Sequence, residues 1–434
     1  MARRLDARAA DFASAFGVLL SAKRETDEDV SASVRDIIAD VRARGDAALI
    51  DTSARFDKVQ LTAETLRLSP QEIAAARGQC GREALAALDV AAKRIEDYHR
   101  RQLPADEFYT DEVGAKLGWR WTALDSVGLY VPGGTASYPS SVLMNAIPAV
   151  VAGVKRIVMV SPASGGAINP LSIEAARRSG VSEIYRIGGA QAVAALAYGT
   201  KTIAPVDKIV GPGNAYVAAA KREVFGTVGI DSIAGPSEIL VIADGANDPD
   251  WIAADLLSQA EHDVSSQSIL ITDDPAFAQK VEDAVARALV LLPRREIASA
   301  SWRDYGAIVV VETLEHAAAL SDRIAPEHLE LAVADPEALL KPVRHAGAIF
   351  LGRHTPEAIG DYIAGPNHVL PTARTARFSS GLSVLDFLKR TSLLSCSPEA
   401  IAKLGPDAIA LAEAEGLDAH ARSVAARLNA RRGR

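Results

Sequence analysis

The 434-residue sequence predicts an α/β protein with two parallel-sheet domains and helical segments at both ends. From Val127 onward, short apolar runs alternate with amphipathic segments, and this alternation is typical of a parallel sheet covered by helices. Nine such runs indicate two sheets rather than one. The apolar spacing of residues 1–125 is mostly helical, and the strand pattern is lost from Asn367 onward, so we expect helical ends.

The strands are predicted where a short apolar run is bounded by turn residues. They cover residues 127–131, 156–161, 183–187, 208–210, 238–243, 268–272, 307–311, 329–333 and 348–351. The helices between them cover residues 140–154, 170–179, 215–224, 249–261, 275–292 and 336–345. An Asp or Asn cap followed by proline marks four of their starts, namely Asn169-Pro170, Asp248-Pro249, Asp274-Pro275 and Asp335-Pro336. Earlier in the chain, amphipathic spacing predicts helices around residues 30–44 and 70–101.

The composition is that of an ordinary globular protein with an excess of acidic residues. Hydrophobic residues make up 49% and charged residues 24%, which excludes an intrinsically disordered chain. The 47 basic and 55 acidic residues give a net charge of −8, so neither a nucleic acid nor an anionic membrane is expected as a partner. Cys80 and Cys396 form no CxxC pair, which excludes a disulfide framework and a thiolate zinc site. We find no signal peptide and no unbroken apolar span, and we expect a cytoplasmic protein.

Three glycine-rich turns join strands to helices in the middle of the chain. They are VPGGT at residues 131–135, GGAQ at 188–191 and GPGN at 211–214. Such turns expose backbone N–H groups at a helix start, where phosphate can bind. None completes the G-x-G-x-x-G dinucleotide fingerprint. Two interpretations stay open, namely plain connectors or a nucleotide site that differs from the standard one.

Seven of the eight histidines lie between residues 262 and 420, in short polar patterns. Gln259 and His262 share one face of a predicted helix, while Asp361 belongs to a predicted polar turn and His420 to the C-terminal tail. Each has a structural alternative, such as a helix cap or a surface histidine. Together the four offer nitrogen and oxygen ligands for zinc.

A further pair, Glu327 and His328, precedes a predicted strand in the sequence PEHLE. A histidine with a near-neutral pKa can take a proton from an alcohol, and a neighbouring carboxylate can activate water. Glu-His pairs also occur by chance on many surfaces, so this pattern alone does not identify a catalytic site.

Several longer motifs are similar to those of one enzyme family. They are GLYVPGGTASYPSSVLMNAIPAV, GGAQAVAALAYGT, VGPGNAYVAAAKREV, AGPSEILVIAD, DLLSQAEHD, IAPEHLEL, GPNHVLPT, SGLSVLDFLKR and EGLDAHARSVAAR. In this order and spacing, the chain resembles histidinol dehydrogenase from about residue 127 to 427. The first 120 residues resemble the family less distinctly.

The resemblance implies a zinc enzyme of histidine biosynthesis. It would oxidise L-histidinol to L-histidine through L-histidinal, reducing two NAD in sequence at one site. Gln259, His262, Asp361 and His420 would bind one zinc ion per subunit. His328 would be the base that takes the alcohol proton, and Glu327 would activate water on the aldehyde.

The resemblance also implies the remaining contacts of the site. The implied NAD contacts are Tyr130, Gln191 and Asn214. The implied substrate contacts are Ser237, Gln259, His262, His328, Asp361, Glu415 and His420. His368, in GPNHVLPT, is expected near the pocket.

Family members are intertwined homodimers of two Rossmann-like domains, in which the C-terminal tail reaches the partner's site. The implied division is a helical segment 1–25, an α/β domain of residues 26–132 plus 243–381 with the metal and catalytic residues, an NAD-contacting α/β domain 133–242, and a helical tail 382–434. His420 and Glu415 would then serve the other subunit.

Three other functions are compatible with parts of the sequence. The first is a related zinc and NAD dehydrogenase of another small polar alcohol. The presence of Glu415 and His420 favours histidinol as the substrate instead. The second is an inactive nucleotide-binding regulator, which would not need Glu327, His328 and a full ligand set. The third is a zinc hydrolase, which would not need the glycine turns.

Overall fold

The computed structural model describes residues 2–21, 30–133, 138–233 and 235–429. Its strands are β1 Arg3–Asp6, β2 Glu107–Thr110, β3 Lys116–Ala123, β4 Ser126–Tyr130, β5 Arg156–Val160, β6 Glu183–Tyr185, β7 Lys208–Val210, β8 Gly229–Ile230, β9 Glu238–Ala243, β10 Gln267–Thr272, β11 Ala307–Val310, β12 His328–Ala332, β13 Ala348–Leu351 and β14 Leu388–Ser395. They form a five-stranded parallel sheet, a six-stranded parallel sheet and a three-stranded antiparallel sheet.

The helices cover the two parallel sheets, and a pair of helices ends the described chain. They are α1 Phe12–Ser21, α2 Ser31–Arg44, α3 Asp46–Phe56, α4 Pro70–Ala76, α5 Arg82–Arg100, α6 Pro139–Ala152, α7 Pro170–Arg178, α8 Gly189–Tyr198, α9 Ala215–Val224, α10 Pro249–Ala260, α11 Pro275–Leu289, α12 Arg295–Tyr305, α13 Leu314–Ile324, α14 Pro336–Leu340, α15 Glu357–Tyr362, α16 Pro398–Ala414 and α17 Asp418–Asn429. None of the described helices is long and apolar enough to cross a membrane.

The five-stranded sheet has the order β6-β5-β4-β7-β8, with every neighbouring pair parallel. The chain starts at the central strand β4, winds outward to β6, and then returns to the other side through β7. The strand order therefore reverses between β4 and β7. In open α/β sheets, a crevice for ligands lies at the carboxyl ends of the strands at such a reversal.

Helices from the N-terminal part pack on this five-stranded sheet. Val34 and Ile38 of α2 and Leu49 of α3 are buried in one core with Val193 of α8 and Val158 of β5. Each fully buried aliphatic side chain contributes about 1.5–3 kcal/mol relative to an exposed one. Helices α2 and α3 are therefore fixed to this sheet by their apolar faces.

The six-stranded sheet has the order β1-β11-β10-β9-β12-β13 and is also parallel throughout. Every residue of the central strand β9 is buried, because α10–α12 cover one face and α1, α13 and α14 cover the other. A strand buried on both faces shows a continuous apolar run, and β9 has the sequence EILVIA.

The antiparallel sheet β14-β3-β2 and the helix pair α16–α17 project from the two α/β layers. All four residues of β2 and most of β14 are exposed. The start of the C-terminal tail is attached to the five-stranded sheet by two contacts. Phe387 is buried against α6 and β4, and Lys208 Nζ donates to the Asp386 carbonyl at 2.8 Å. Helices α16 and α17 pack on each other, with Gly405 facing Leu428 closely.

The nine predicted strands are confirmed to within two residues at each end. The four predicted caps are also confirmed, because Asn169, Asp248, Asp274 and Asp335 each accept a hydrogen bond from a backbone N–H in the first turn. These features depend on local burial and local hydrogen bonds, which the sequence pattern reports directly.

Three predictions about the ends of the chain are wrong. The N-terminal segment contributes a strand, β1, to the six-stranded sheet, and only Leu5 of its four residues is buried. The region after Asn367 contains the eight-residue strand β14. The predicted helix 70–101 is two helices, α4 and α5, with a short 3-10 turn at Arg77–Gln79 between them. Exposed strands lack an apolar run, so the sequence pattern does not reveal them.

The membership of the sheets also differs from the implied domain boundaries. Strand β4, at residues 126–130, pairs with β5 and β7 in the five-stranded sheet, although the implied division groups it with residues 243–381. Helices α2 and α3 pack on that same sheet. Their hydrogen bonds and apolar contacts therefore place β4, α2 and α3 with the five-stranded sheet.

We predict that Leu5→Ala lowers the free energy of unfolding by about 2–3 kcal/mol, because the Leu5 side chain is buried in one apolar cluster with Phe16 and with Val309 of the neighbouring strand β11. The control is Arg3→Ala on the same strand, which is exposed and should change stability by less than about 0.5 kcal/mol. Urea unfolding measures both. Equal stability of the two variants would contradict the pairing of β1 with β11.

Candidate active site

A cavity of about 630 Å³ lies between the two parallel sheets. The five-stranded sheet contributes residues that follow its strands, and the six-stranded sheet contributes residues that precede its strands. Its lining includes Pro132, Gly133, Gly211, Asn214, Asp231, Ser237, Gln259, His262, Arg294, Glu327, His328, Asp361 and His368. The cavity thus faces the carboxyl edge of one sheet and the amino edge of the other.

The amino edge of the six-stranded sheet supplies the catalytic pair predicted from PEHLE. His328 is the first residue of β12 and pairs in register with Ile239 of β9. Its Nδ1 lies 2.9 Å from the Glu238 carbonyl oxygen. A carbonyl only accepts hydrogen bonds, so the Nδ1 of the neutral ring carries the proton. Nε2 is then the basic nitrogen, and it has no hydrogen-bond partner among the described residues.

Glu327 lies beside His328, with 3.7 Å between Oε2 and His328 Nδ1. The Glu238 backbone N–H donates to this Oε2 at 2.9 Å. Burial raises the pKa of Glu327 to about 7, although the neighbouring His328 acts in the opposite direction. A carboxyl group with a pKa near neutral can take up and release a proton, which is the property of a general acid–base.

Three carboxylates surround the His328 ring. Burial by itself lowers the pKa of His328, but Glu357, Glu327 and Asp361 outweigh it and raise the pKa well above its ordinary value. The Glu357 Oε1 lies 3.5 Å from Nδ1, and the Asp361 Oδ1 lies 3.6 Å from Nε2. The edge therefore concentrates negative charge, which favours a bound cation.

The cavity brings together three of the four predicted metal ligands. Gln259 lies in the last turn of α10, His262 follows that helix, and Asp361 lies in α15 rather than in the predicted polar turn. Gln259 Nε2 lies 2.8 Å from His262 Nδ1, and the buried Gln259 Oε1 finds no protein donor in the described part of the chain. Burial lowers the pKa of His262, while the nearby Asp361 raises it. The effect of burial is the larger of the two, so the pKa of His262 lies below its ordinary value and the neutral ring, which is the form that binds metal, is favoured.

A second group of possible ligands shares Asp361. One ligand atom from each of His328, Glu357 and Asp361 lies within 4.8 Å of the others. Burial raises the pKa of Asp361, but its contact with His328 outweighs this and holds the pKa below the ordinary value. Asp361 thus stays ionised and is the common member of both groups.

His420 and Glu415 are exposed on the C-terminal tail and are not among the described residues that line the cavity. Glu415 follows α16, and His420 lies in the first turn of α17. A single chain therefore does not bring these two predicted residues to the site.

The predicted NAD contacts lie at the reversal of the five-stranded sheet. Asn214 follows β7, lines the cavity and caps α9 by accepting from the Val217 N–H at 3.2 Å. Tyr130 and Gln191 are buried, and neither is among the described residues that line the cavity. The Tyr130 hydroxyl accepts from the Gly189 N–H at 3.0 Å, and burial raises the pKa of Tyr130 to about 12. Residues 134–137, part of the first glycine turn, lie outside the described residues.

The GPGN turn is held in place by a buried ion pair. Asp231 accepts from the Gly211 N–H at 2.7 Å, and Lys221 donates both to the Gly211 carbonyl and to Asp231. Gly211 has a φ of 111°, and a Cβ there would lie 2.1 Å from the Tyr130 carbonyl oxygen. Only glycine fits at this position.

Three residues important to the site were not predicted from the sequence as catalytic or ligating groups. Glu238 and Glu357 are buried carboxylates that contact Glu327 and His328, respectively. His368 lines the cavity, its Nδ1 lies 2.8 Å from the Asp361 carbonyl, and its Nε2 lies 3.1 Å from Ser141 Oγ. A glutamate inside an apolar run, as in AGPSEILV, is the one sequence signal that could have identified Glu238.

Comparisons with known proteins agree on one family. Residues 20–428 match the family described as histidinol dehydrogenase. The chain is 67% identical to the histidinol dehydrogenase of Rhodospirillum rubrum over 430 residues, 99% of each chain. It is 67% identical to that of Mesorhizobium japonicum over 420 residues, covering 97% of this chain and 98% of the relative. The crystal structure of histidinol dehydrogenase from Elizabethkingia anophelis has 38% identity and a TM-score of 0.95, covering 100% of this chain and 99% of that one.

We predict that Gly211→Ala weakens NAD binding at least about tenfold, because the added Cβ must displace the Tyr130 backbone and with it the turn. Gly226→Ala is the matched control, since Gly226 also has a positive φ but open space around its Cβ position. Titration calorimetry with NAD measures both variants. Equal affinities would show that the turn does not contribute to the cofactor site.

Proposed function

The chain belongs to the histidinol dehydrogenase family, and we propose that the cavity between its two parallel sheets carries out both oxidations of that enzyme. The protein is an NAD-dependent oxidoreductase that catalyses the last step of histidine biosynthesis, from L-histidinol to L-histidine. The main support for the site is that Glu327 and His328 converge on one cavity whose other wall contains the GPGN turn.

In the first oxidation, the alcohol carbon loses a hydride to NAD and the hydroxyl group loses a proton. His328 Nε2 is suited to accept that proton when the ring is neutral, because Nδ1 is occupied by the Glu238 carbonyl and Nε2 makes no hydrogen bond within the described residues. A cation held by Asp361 would oppose the carboxylates that raise the pKa of His328, and would so favour the neutral ring. The product is the aldehyde, L-histidinal, which stays in the same cavity.

In the second oxidation, a water molecule adds to the aldehyde and the resulting hydrate loses a hydride to a second NAD. Glu327 is suited to take the proton from that water, since burial brings its pKa to about 7. The adjacency of Glu327 and His328 lets one substrate position serve both steps, so the reactive aldehyde need not leave.

A zinc ion fits Gln259, His262 and Asp361. The three supply the nitrogen and oxygen donors that zinc accepts, and the buried Gln259 Oε1 lacks a protein donor among the described residues. When bound, the ion would supply a fixed point for the substrate's nitrogen atoms and a positive charge that opposes the carboxylates around His328. Ser237 lines the same cavity and is positioned for substrate contact.

The fourth ligand, His420, and the substrate contact Glu415 would come from a second copy of the chain. Both are exposed on a projecting tail, which also exposes Leu394 (69%) and Leu411 (66%). Exposed apolar side chains on a projecting sheet and helix pair favour coverage by another protein surface. We infer an intertwined homodimer in which each tail completes the partner's cavity.

The yield of NADH per histidinol tests the proposed reaction. A ratio of about two, with NADH measured by absorbance and compared with the histidinol consumed, is expected for two hydride transfers to NAD at one site. A ratio near one would indicate a simple alcohol dehydrogenase, and no NADH would indicate a hydrolase or an inactive binding protein.

We predict that Glu327→Gln slows oxidation of supplied histidinal by at least about 100-fold, because the variant cannot take a proton from water. The first oxidation, followed as histidinol-dependent hydride transfer in a single turnover, should change much less. The two half-reactions of one variant are therefore each other's control. Equal losses in both would contradict the separate role of Glu327.

We predict that His262→Asn and His420→Asn each lose zinc and activity, since each lacks one ligand. When the two inactive variants are unfolded and refolded together, half of the dimers are mixed, and each mixed dimer contains one intact site. About one quarter of wild-type activity should return. His316→Asn is the control for zinc content, because His316 packs against Phe12 away from the cavity. No recovery on mixing would show that His420 serves its own subunit.

A further inference from the structure

We propose that Glu238 is a positioning residue for both catalytic side chains, a role that rests on the proposed function of Glu327 and His328. Glu238 is the first residue of β9 and is almost fully buried. Its backbone and its carboxylate both bond to the PEHLE segment, and the carboxylate also bonds to the loop around Ala373.

The backbone of Glu238 orients the reactive atoms. Its carbonyl oxygen accepts from His328 Nδ1 at 2.9 Å, which fixes the proton on that nitrogen and leaves Nε2 as the base. Its N–H donates to Glu327 Oε2 at 2.9 Å, which fixes the direction of that carboxylate. Any shift of the Glu238 peptide therefore moves both groups at once.

The side chain of Glu238 holds its own peptide in place. Oε2 accepts from the Glu327 N–H at 3.3 Å, so residues 238 and 327 bond reciprocally. Oε1 accepts from the Ala373 N–H at 2.9 Å. One buried carboxylate thus connects β9, the start of β12 and the loop around Ala373.

That loop has a conformation that needs support. Ala373 and Arg374 are consecutive non-glycine residues with left-handed φ values of 51° and 64°. Such residues are strained and persist only where surrounding contacts fix them. Besides the Glu238 bond, Thr372 Oγ1 accepts from the Gly235 N–H at 2.6 Å, so the loop is attached at two points to the segment that leads into β9.

Loss of the Glu238 carboxylate should therefore loosen the catalytic pair without removing a group that touches substrate. A displacement of about 1 Å in a reacting group can cost about 100-fold in rate. Glu238→Gln keeps the shape but offers one acceptor oxygen for two N–H donors. We expect kcat to fall about 10- to 100-fold, with the KM for NAD unchanged, because the GPGN turn lies on the other sheet.

Asp244→Asn is the matched control. Asp244 follows the other end of β9 and also accepts backbone N–H groups, from Ala334 at 2.8 Å and Ala246 at 3.1 Å. It lies at the opposite edge of the sheet, so it shares the structural role without contacting the catalytic pair. Its variant should lose thermal stability and keep the wild-type kcat.

The experiment compares steady-state kinetics with histidinol and with histidinal, zinc content and thermal unfolding for wild type, Glu238→Gln, Glu238→Asp and Asp244→Asn. Support requires kcat losses for both substrates in Glu238→Gln, with normal zinc content and a loss of stability no larger than in Asp244→Asn. If Glu238→Gln does not fold, Glu238→Asp, which keeps the charge but is one methylene shorter, must show the same pattern.

Two results would overturn the proposal while the wild-type enzyme is active. One is a wild-type kcat in the folded Glu238 variants. The other is a loss of kcat in Asp244→Asn equal to that in Glu238→Gln, which would indicate general destabilisation. An inactive wild-type protein, by contrast, would mean that the proposed function itself is wrong.

Discussion

The parallel register between β9 and β12 pairs His328 with Ile239 and so places the starts of both strands at one edge of the six-stranded sheet. The Glu238 carbonyl then faces His328, and the Glu238 N–H faces Glu327. A shift of one residue in this register would turn His328 to the other face of the sheet. The chemistry therefore depends on an ordinary strand pairing, which is stabilised by the apolar residues on both sides of β9 rather than by the polar groups themselves.

The two parallel sheets contribute opposite edges to the cavity, and each edge suits what it supplies. The carboxyl edge of the five-stranded sheet carries the glycine turns and helix starts at which the proposed function places NAD. The amino edge of the six-stranded sheet carries carboxylates and imidazoles, which suit a cation and proton transfer. At its carboxyl edge, the usual ligand position, Arg353 instead forms an ion pair with Asp244 at 2.7 Å. In the proposed function, the cofactor edge of one sheet and the cation edge of the other meet at this cavity.

The C-terminal tail is less buried than the two parallel sheets. Strand β14 pairs along its whole length with β3, yet both faces of this small sheet are largely exposed. Its backbone bonds are satisfied while its side chains have little apolar contact in the single chain. In the proposed dimer, that exposure is what allows His420 and Glu415 to reach a second cavity, so a complete site would be a property of two chains.

The sequence by itself predicted the buried strands and the capped helices, and its resemblance to a known family singled out the residues Gln259, His262, Glu327, His328 and Asp361, which the fold brings to one cavity. Burial on both faces leaves a continuous apolar run, and a cap bonds within its own first turn, so both signals are local. Only the tertiary structure revealed β1, whose Arg3 pairs with Ala307, and β14, since a polar or exposed strand leaves no apolar pattern. Only the tertiary structure likewise identified Glu238 and Glu357, because a buried carboxylate acquires its role from partners that are distant in the chain.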